Sequence, residues 1–256
     1  MHVRRTLLAI VVLRVLLGPV LGSFAVAQDA SESRSTLVVV ISGFGSDASA
    51  AQLAGKAPRG KGTSGMYQLM RDLEDLGLST EFFNWNGTSA GRFKQKDAPG
   101  ASEIVSFIRA ENAKSSLKNL VIIGHSWGGH TMMEVAQQLC EDPQIEIQLA
   151  IAVDPSSLSR GKRAKELPRT VNKLVNYHTR NAFVWGEWKS DERIQNIDLG
   201  DPANGFKAIN GSSYAAKFDI HAHNAAEWDK LIHKDIVKRI ESLVGSSKTS
   251  ASGSGR

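Results

Sequence analysis

The chain has 256 residues, of which 41% are hydrophobic and 22% charged, with 23 Gly and 7 Pro. This composition excludes a collagen-like chain, a disordered chain and a small disulfide scaffold, and it supplies enough apolar residues for one sizeable core. The formal net charge is +5, but Arg4, Arg5 and Arg14 lie in the first 27 residues, which contain no acidic residue. Without these three, 28 of the 31 basic residues remain against 26 acidic ones, a net charge of +2. So small a charge gives little support for a nucleic-acid partner.

The first 27 residues are typical of a secretory signal peptide. A basic start is followed by a stretch from Thr6 to Gly22 that is apolar apart from Arg14, and Ala25-Val26-Ala27 has the small residues that signal peptidase accepts. An uncleaved membrane anchor is disfavoured because Arg14 and Pro19 interrupt the apolar run. We therefore expect cleavage after Ala27, no membrane span in the mature chain, and a secreted or periplasmic protein.

The mature chain is predicted to form one domain, residues 36–244. Residues 28–35 are polar and predict a linker, and residues 245–256 are rich in Ser and Gly and predict a disordered tail. Cys140 is the only cysteine, so no intramolecular disulfide can form. Export without a disulfide suits a bacterial protein whose stability comes from its core.

Predicted strands and helices alternate along this domain. The strands, in chain order, are Leu37–Ile41, Leu78–Asn84, Leu120–Ile123, Ile145–Val153, Val171–Tyr177 and Ile194–Leu199. Four helices are predicted, mainly because apolar residues recur three and four positions apart. The first follows a cap at Ser64 and contains Met66, Leu69, Met70, Leu73 and Leu76, and the second follows Ser102 and contains Ile104, Val105 and Ile108. The third runs from about Gly128 to Cys140, and the last is a long helix with Trp228, Leu231, Ile232, Ile236 and Ile240 facing inward. Strands that are apolar without alternation are buried on both faces, as in a parallel sheet covered by helices. The predicted fold class is α/β.

The segment Gly124-His125-Ser126-Trp127-Gly128 contains the pattern G-x-S-x-G. It directly follows a predicted apolar strand and opens a predicted helix, which is the setting that a nucleophilic serine on a sharp turn requires. Glycines two residues before and after Ser126 avoid Cβ atoms that would crowd this turn. The backbone N–H of Trp127, at the helix N-terminus, points to where an oxyanion would form.

From about Ser35 to Val244 the chain resembles an α/β-hydrolase of the lipase and esterase kind. The resemblance implies a mostly parallel sheet with the serine after its fifth strand, and triad partners in the order serine, acid, histidine. It also implies a second oxyanion donor in the loop after the first predicted strand, where Ser42-Gly43-Phe44-Gly45 stands. The backbone N–H of Phe44 is the matching position.

The general base is sought among seven histidines. The resemblance implies a base on the loop just before the last helix, which leaves His221 and His223. His223 is preferred because it is nearer the helix start, and His221 remains the alternative. We expect His125 to fill space beside the nucleophile and His233 to be an exposed helix residue.

Two carboxylates are candidates for the acid of the triad. Asp154 follows the strand after the serine, and Pro155 ends that strand so that the carboxylate lies at its C-terminal edge, where catalytic groups cluster. Most α/β-hydrolases carry the acid one strand later, but no carboxylate follows that strand until Glu187. The sequence resembles lipases that use an Asp-Pro pair at the earlier position. Asp154 is therefore preferred, and Asp198 is the fallback.

Together these residues predict acyl transfer from a carboxylic ester, with Ser126 as nucleophile, His223 as base, Asp154 as acid and the N–H groups of Phe44 and Trp127 as oxyanion donors. No metal or other cofactor is expected. The domain is too short for a large lid, so the expected substrate is a small ester or a short-chain lipid. The alternatives are a thioesterase, an amidase or a polymer-ester hydrolase, or an inactive hydrolase-fold binding protein.

Overall fold

The computed structural model describes residues 35–44, 64–85, 100–156, 166–182, 184, 188, 191–209 and 211–251. The predicted signal peptide, and the predicted linker as far as residue 34, lie outside the described residues, so the domain boundaries at this end stay a prediction. Within the described ranges, no helix is long and apolar enough to cross a membrane.

The described residues form six strands and five α-helices. As predicted, each of the first three strands is followed by a helix, and three further strands come next in the chain; a short helix that the sequence analysis does not predict then precedes the closing helix. The strands are β1 (Thr36–Ile41), β2 (Ser79–Phe83), β3 (Asn119–His125), β4 (Leu149–Val153), β5 (Leu174–His178) and β6 (Ile194–Asp198). The helices are α1 (Gly65–Glu74), α2 (Ala101–Ser115), α3 (Trp127–Leu139), α4 (Ile220–Ala226) and α5 (Lys230–Ala251). Ser64 caps α1, as predicted: its side chain accepts a hydrogen bond from the backbone N–H of Tyr67 at 3.2 Å.

All six strands pair in parallel, in the order β2-β1-β3-β4-β5-β6. The two central pairings set the register of the site, because they bring Ile41 beside Gly124 and His125 beside Val153. The loops that leave the carboxyl ends of β1, β3 and β4 therefore meet at one edge of the sheet. The predicted α/β fold class, a parallel sheet covered by helices, is confirmed.

Apolar side chains on the two faces of the sheet form two cores. Val38 and Val40 of β1 face α1 and α5, whereas Leu37, Val39 and Ile41 face α2 and α3. All residues of β1, β3, β4 and β5 are buried, which explains why these strands are apolar without alternation.

The structure differs from the sequence-based predictions in the position of the serine in the sheet. Ser126 follows the third described strand, not a fifth, because Thr36–Ile41 is the first strand of the sheet among the described residues.

The closing helix also differs from its prediction. It begins only at Lys230, since the Asp229 carboxylate accepts a hydrogen bond from the N–H of Leu231 at 2.8 Å. Trp228 is consequently outside the helix and only half-buried, and Leu231 faces solvent, with 49% of its surface exposed. At its other end α5 continues to Ala251, into the segment predicted as a disordered tail.

Candidate active site

Ser126 lies on the sharp turn between β3 and α3. Its backbone has φ 53° and ψ −121°, a conformation that costs a residue with a Cβ of the order of 1–3 kcal/mol. The turn is tied to the neighbouring strand, because the N–H of Ser126 donates to the carbonyl of Val153 at 3.1 Å. The surrounding sheet therefore holds the serine in the strained position that the motif predicts.

The glycines of the motif are required by close backbone contacts. A Cβ on Gly124 would lie 2.5 Å from the carbonyl oxygen of Gly128, and a Cβ on Gly128 would collide with the carbonyl oxygens of Ile41 and Ser42. Glycine at both positions thus lets the start of α3 pack against β3 and the end of β1. The predicted need for two glycines is confirmed, although the crowding is between these segments rather than against Ser126 itself.

His223 bridges the serine and an acid. Its Nε2 lies 2.8 Å from Ser126 Oγ, and its Nδ1 lies 2.7 Å from Asp154 Oδ2. In the tautomer with hydrogen on Nδ1, Nδ1–H donates to the carboxylate and Nε2 accepts from the serine hydroxyl. All three residues are buried. The three residues that the sequence selects for a triad are brought together.

Asp154 directly follows β4 and has the left-handed backbone φ of 42°. Its Oδ1 accepts a hydrogen bond from the N–H of Thr179 at 2.8 Å, and the Thr179 hydroxyl lies 3.1 and 3.0 Å from the two carboxylate oxygens. Burial raises the pKa of Asp154, but the hydrogen bonds and charge of His223, together with the bonds from Thr179, outweigh burial and lower it below its usual range. Asp154 is therefore an ionised acceptor for His223.

The two alternatives from the sequence lie apart from this constellation. The Asp198 carboxylate accepts from Arg180 Nε at 2.8 Å and from the N–H of Gly200 at 2.8 Å. His221 is exposed. Both His221 and His223 are in the short helix α4 rather than on a loop, and the side chain of Asp219 caps this helix.

His125 and His233 are both buried, at 1% and 7% exposure. His125 fills space beside the triad as expected: its ring stacks on that of His223 with centroids 4.9 Å apart. His233 is not the exposed helix residue that the periodicity suggests. Its Nε2 is 2.7 Å from the backbone oxygen of Glu227, because α5 packs that face against the connection from α4.

The two predicted oxyanion donors flank the serine. Trp127 is the first residue of α3, and the first N–H groups of a helix have no acceptor within it. Phe44 follows Gly43, where a Cβ would lie only 2.7 Å from Ser126 Cβ, so this loop passes directly beside the nucleophile. Trp85 lies between their side chains, stacked on Trp127 with centroids 5.7 Å apart and edge-on to Phe44 at 5.9 Å.

Sequence reasoning missed Thr179 and Glu227. Thr179 supports the Asp154 carboxylate, and the Glu227 carboxylate is buried with Oε2 3.6 Å from His125 Nδ1. A polar residue just after the buried strand β5 was an available signal for Thr179, whereas nothing in the local pattern marks Glu227. Across the described ranges, no group of three or more His, Cys, Asp or Glu is placed to hold a metal ion.

An all-parallel sheet covered by helices carries the serine on a strand-to-helix turn. In chain order, Asp154 after β4 and His223 after β6 complete the hydrogen-bonded set. The parallel sheet and the chain order serine, aspartate, histidine are those that the resemblance to α/β-hydrolases implies. No protein-family model and no curated protein sequence matches this chain.

Solved structures that are similar to this chain include hydrolases of the α/β superfamily. One from Xanthomonas campestris pv. campestris has a TM-score of 0.39 at 14% identity, over 80% of this chain and 98% of that one. A metagenomic carboxyl esterase has a TM-score of 0.35 at 14% identity, over 57% of this chain and 50% of that one. An extracellular α/β-hydrolase from a Paenibacillus species has a TM-score of 0.28 at 18% identity, over 48% of this chain and 42% of that one. Each of these three scores is below 0.5, so these similarities carry no argument about function.

Proposed function

We propose that this protein is a serine hydrolase that cleaves carboxylic esters through an acyl-enzyme. The observation that carries the proposal is the hydrogen-bonded series from Ser126 Oγ through both ring nitrogens of His223 to Asp154 Oδ2, at 2.8 and 2.7 Å. These distances are within the reach required for a general base and for the group that orients it. The strained backbone of Ser126 supports the same conclusion, because strain of this kind persists where function requires it.

In the first step Ser126 Oγ attacks the ester carbonyl carbon while its proton passes to His223 Nε2. The oxyanion that forms accepts hydrogen bonds from the backbone N–H groups of Trp127 and Phe44. Collapse of the tetrahedral intermediate breaks the bond to the alcohol oxygen, which takes the proton from His223 and leaves the acyl group on Ser126.

In the second step a water molecule attacks the acyl-enzyme and gives one proton to His223 Nε2. Collapse returns the proton to Ser126 Oγ and releases the carboxylic acid, so the enzyme is regenerated without a cofactor. Ionised Asp154 keeps the hydrogen on His223 Nδ1 throughout and stabilises the imidazolium.

The proposed substrates are small esters or short-chain lipid esters. A serine, histidine and aspartate alone do not fix the leaving group, so a thioester, an amide or a polymer ester is attacked by the same steps. We include export to the periplasm or out of the cell in the proposal, because the first 27 residues have the pattern of a signal peptide.

Hydrolysis of p-nitrophenyl esters of increasing acyl length tests the proposal, with mature wild-type protein and its Ser126→Ala variant. We expect wild-type activity on the short esters and a loss of at least about a thousandfold in the variant, since nucleophile removal in such a triad has effects of that size or larger. Labelling by a fluorophosphonate should occur in wild type and be absent in Ser126→Ala. A wild-type protein that is neither active nor labelled would refute the proposal and favour an inactive binding protein.

A further inference from the structure

His125 lies directly against His223, and no step of the proposed mechanism uses it. The two rings stack with centroids 4.9 Å apart and planes inclined by 26°. In addition, His125 Nε2 is 3.3 Å from the backbone carbonyl oxygen of His223. His125 is buried, so both contacts are made away from water. One side chain thus touches both the ring and the backbone of the base.

The hydrogen-bond partner fixes the tautomer of His125. A carbonyl oxygen only accepts, so Nε2 carries the hydrogen and Nδ1 is bare in the neutral ring. Burial, followed by the charge of His223, lowers the pKa of His125 to about 3, so the ring is neutral near pH 7. The titratable groups that face it are His223 and Asp154 of the triad and the Glu227 carboxylate, whose Oε2 is 3.6 Å from Nδ1.

The helix that carries His223 is short, and the side chain of Asp219 caps its start. Helix α4 is only seven residues long, and Ile220, His221 and Asn224 are exposed. The other buried residues of α4 are Ala222, Ala225 and Ala226, whose side chains are single methyl groups. The buried alanines and the cap fix the backbone of α4, whereas the bond and the stacking from His125 act on His223 itself, whose Nε2 must stay in line with Ser126.

We propose that His125 is a positioning residue that holds the imidazole of His223 between Ser126 and Asp154. It does so through the Nε2–H bond to the His223 carbonyl and through stacking on the His223 ring. This inference rests on the proposed function. Because the ring of His125 is neutral, it stacks on the imidazolium form of His223 without opposing its charge, whereas a cation there would disfavour that form.

The matched comparison is between two buried histidines that each donate from Nε2 to a backbone carbonyl. His125→Phe removes the bond to His223 and keeps a ring, and His125→Gln keeps an N–H donor without the ring. His233→Phe is the control, because His233 Nε2 donates to the carbonyl of Glu227 at 2.7 Å and its described contacts include no member of the triad. The readouts are kcat and KM for a p-nitrophenyl ester, thermal unfolding, and the low-field proton NMR signal of His223 Nδ1–H in substrate-free protein.

We expect His125→Phe to lower kcat by about ten- to a hundredfold, the size of effect that a misplaced catalytic group produces, with KM changed less than about twofold. The low-field proton signal should shift or broaden in His125→Phe, and His125→Gln should recover part of the lost kcat. His233→Phe should lower the unfolding temperature and leave both kcat and the NMR signal unchanged.

Folded His125→Phe with wild-type kcat and an unshifted low-field signal overturns the inference. So does an equal loss of kcat in His125→Phe and His233→Phe, because the effect would then be a general loss of packing. If His125→Phe does not fold, His125→Gln decides: a lowered kcat with a shifted low-field signal supports the inference, because the stacked ring is lost, and wild-type kcat with an unshifted signal overturns it. A wild-type protein that is unreactive toward the fluorophosphonate overturns the proposed function instead, and the NMR comparison still decides whether His125 positions His223.

Discussion

Replacing Thr179 by Val tests whether the Thr179 hydroxyl stabilises the ionised Asp154 carboxylate, although Thr179 takes no part in the chemistry. Valine has nearly the same shape as threonine and keeps the backbone N–H that donates to Asp154 Oδ1 at 2.8 Å. The hydroxyl is lost, which lies 3.1 and 3.0 Å from the two carboxylate oxygens and also accepts a hydrogen bond from the N–H of Asn181 at 3.3 Å. One hydroxyl has one hydrogen, so its contacts with the two carboxylate oxygens amount to one hydrogen bond shared between two acceptors.

A hydrogen bond to a charged group is worth about 1.5 to 3 kcal/mol, and the buried Asp154 carboxylate has no exposed surface through which water could replace it. We therefore expect Thr179→Val to lower the free energy of unfolding by about 2 kcal/mol, a fall of about 1 M in the urea midpoint for a slope of about 2 kcal/mol per M. If about 1.4 kcal/mol of this support is also lost in the transition state, kcat/KM should fall about tenfold.

The assays are urea unfolding followed by circular dichroism and p-nitrophenyl ester hydrolysis, with Thr170→Val as the matched control. The buried Thr170 hydroxyl donates to the carbonyl of Ala136, a neutral acceptor, at 2.9 Å. Its loss should cost about 1 kcal/mol and leave kcat/KM unchanged. If Thr179→Val matched Thr170→Val in both assays, the Thr179 hydroxyl would not support Asp154, and our reasoning about this contact would be refuted.

Three further changes have expected outcomes. Gly124→Ala would place a Cβ 2.5 Å from the carbonyl oxygen of Gly128, so we expect the free energy of unfolding in urea to fall by about 1–3 kcal/mol or more. An unchanged urea midpoint would contradict the packing described. Gly43→Ala would place a Cβ 2.7 Å from Ser126 Cβ, so fluorophosphonate labelling of Ser126 should slow by about tenfold or more. A wild-type labelling rate would argue against this loop as part of the site. Because the pKa of Asp154 is lower in the folded than in the unfolded chain, its ionised form stabilises the fold above about pH 4, and this contribution disappears as the pH falls through the folded value. Wild type should therefore lose more unfolding free energy between about pH 6 and pH 3 than Asp154→Asn, and equal losses would show that the carboxylate is not stabilised by folding.

The sequence predicts the strands and the turn of the serine because both are determined locally. An unbroken apolar run such as Leu120–Ile123 is stable only when both faces are covered, and a G-x-S-x-G pattern after such a run fits few structures other than a strained strand-to-helix turn. The structure confirms both the buried strand β3 and the contact of Gly124 with Gly128.

The local pattern favoured His223 over His221 but could not settle the choice between them. The two residues are separated by one position, and only the direction in which each side chain leaves α4 decides which one meets Ser126. That direction follows from the burial of Ala222, Ala225 and Ala226 against the core, which is a tertiary contact.

The contacts of Thr179 and His125 with the triad could not be predicted from the sequence, since they join residues that are far apart in the chain. Thr179 is 25 residues from Asp154, and the His125 ring meets His223 across 98 residues. No periodicity connects such positions, because they are brought together only when β3, β4 and β5 pair and α4 returns to the same edge of the sheet. The sequence by itself therefore determined the parallel α/β fold and the serine turn, which follow from burial and backbone sterics over a few neighbouring residues. The sequence favoured His223 and Asp154, but only the tertiary structure decided that His223 contacts the serine and that Asp154 contacts His223, because hydrogen bonds of 2.8 and 2.7 Å depend on the placement of whole elements.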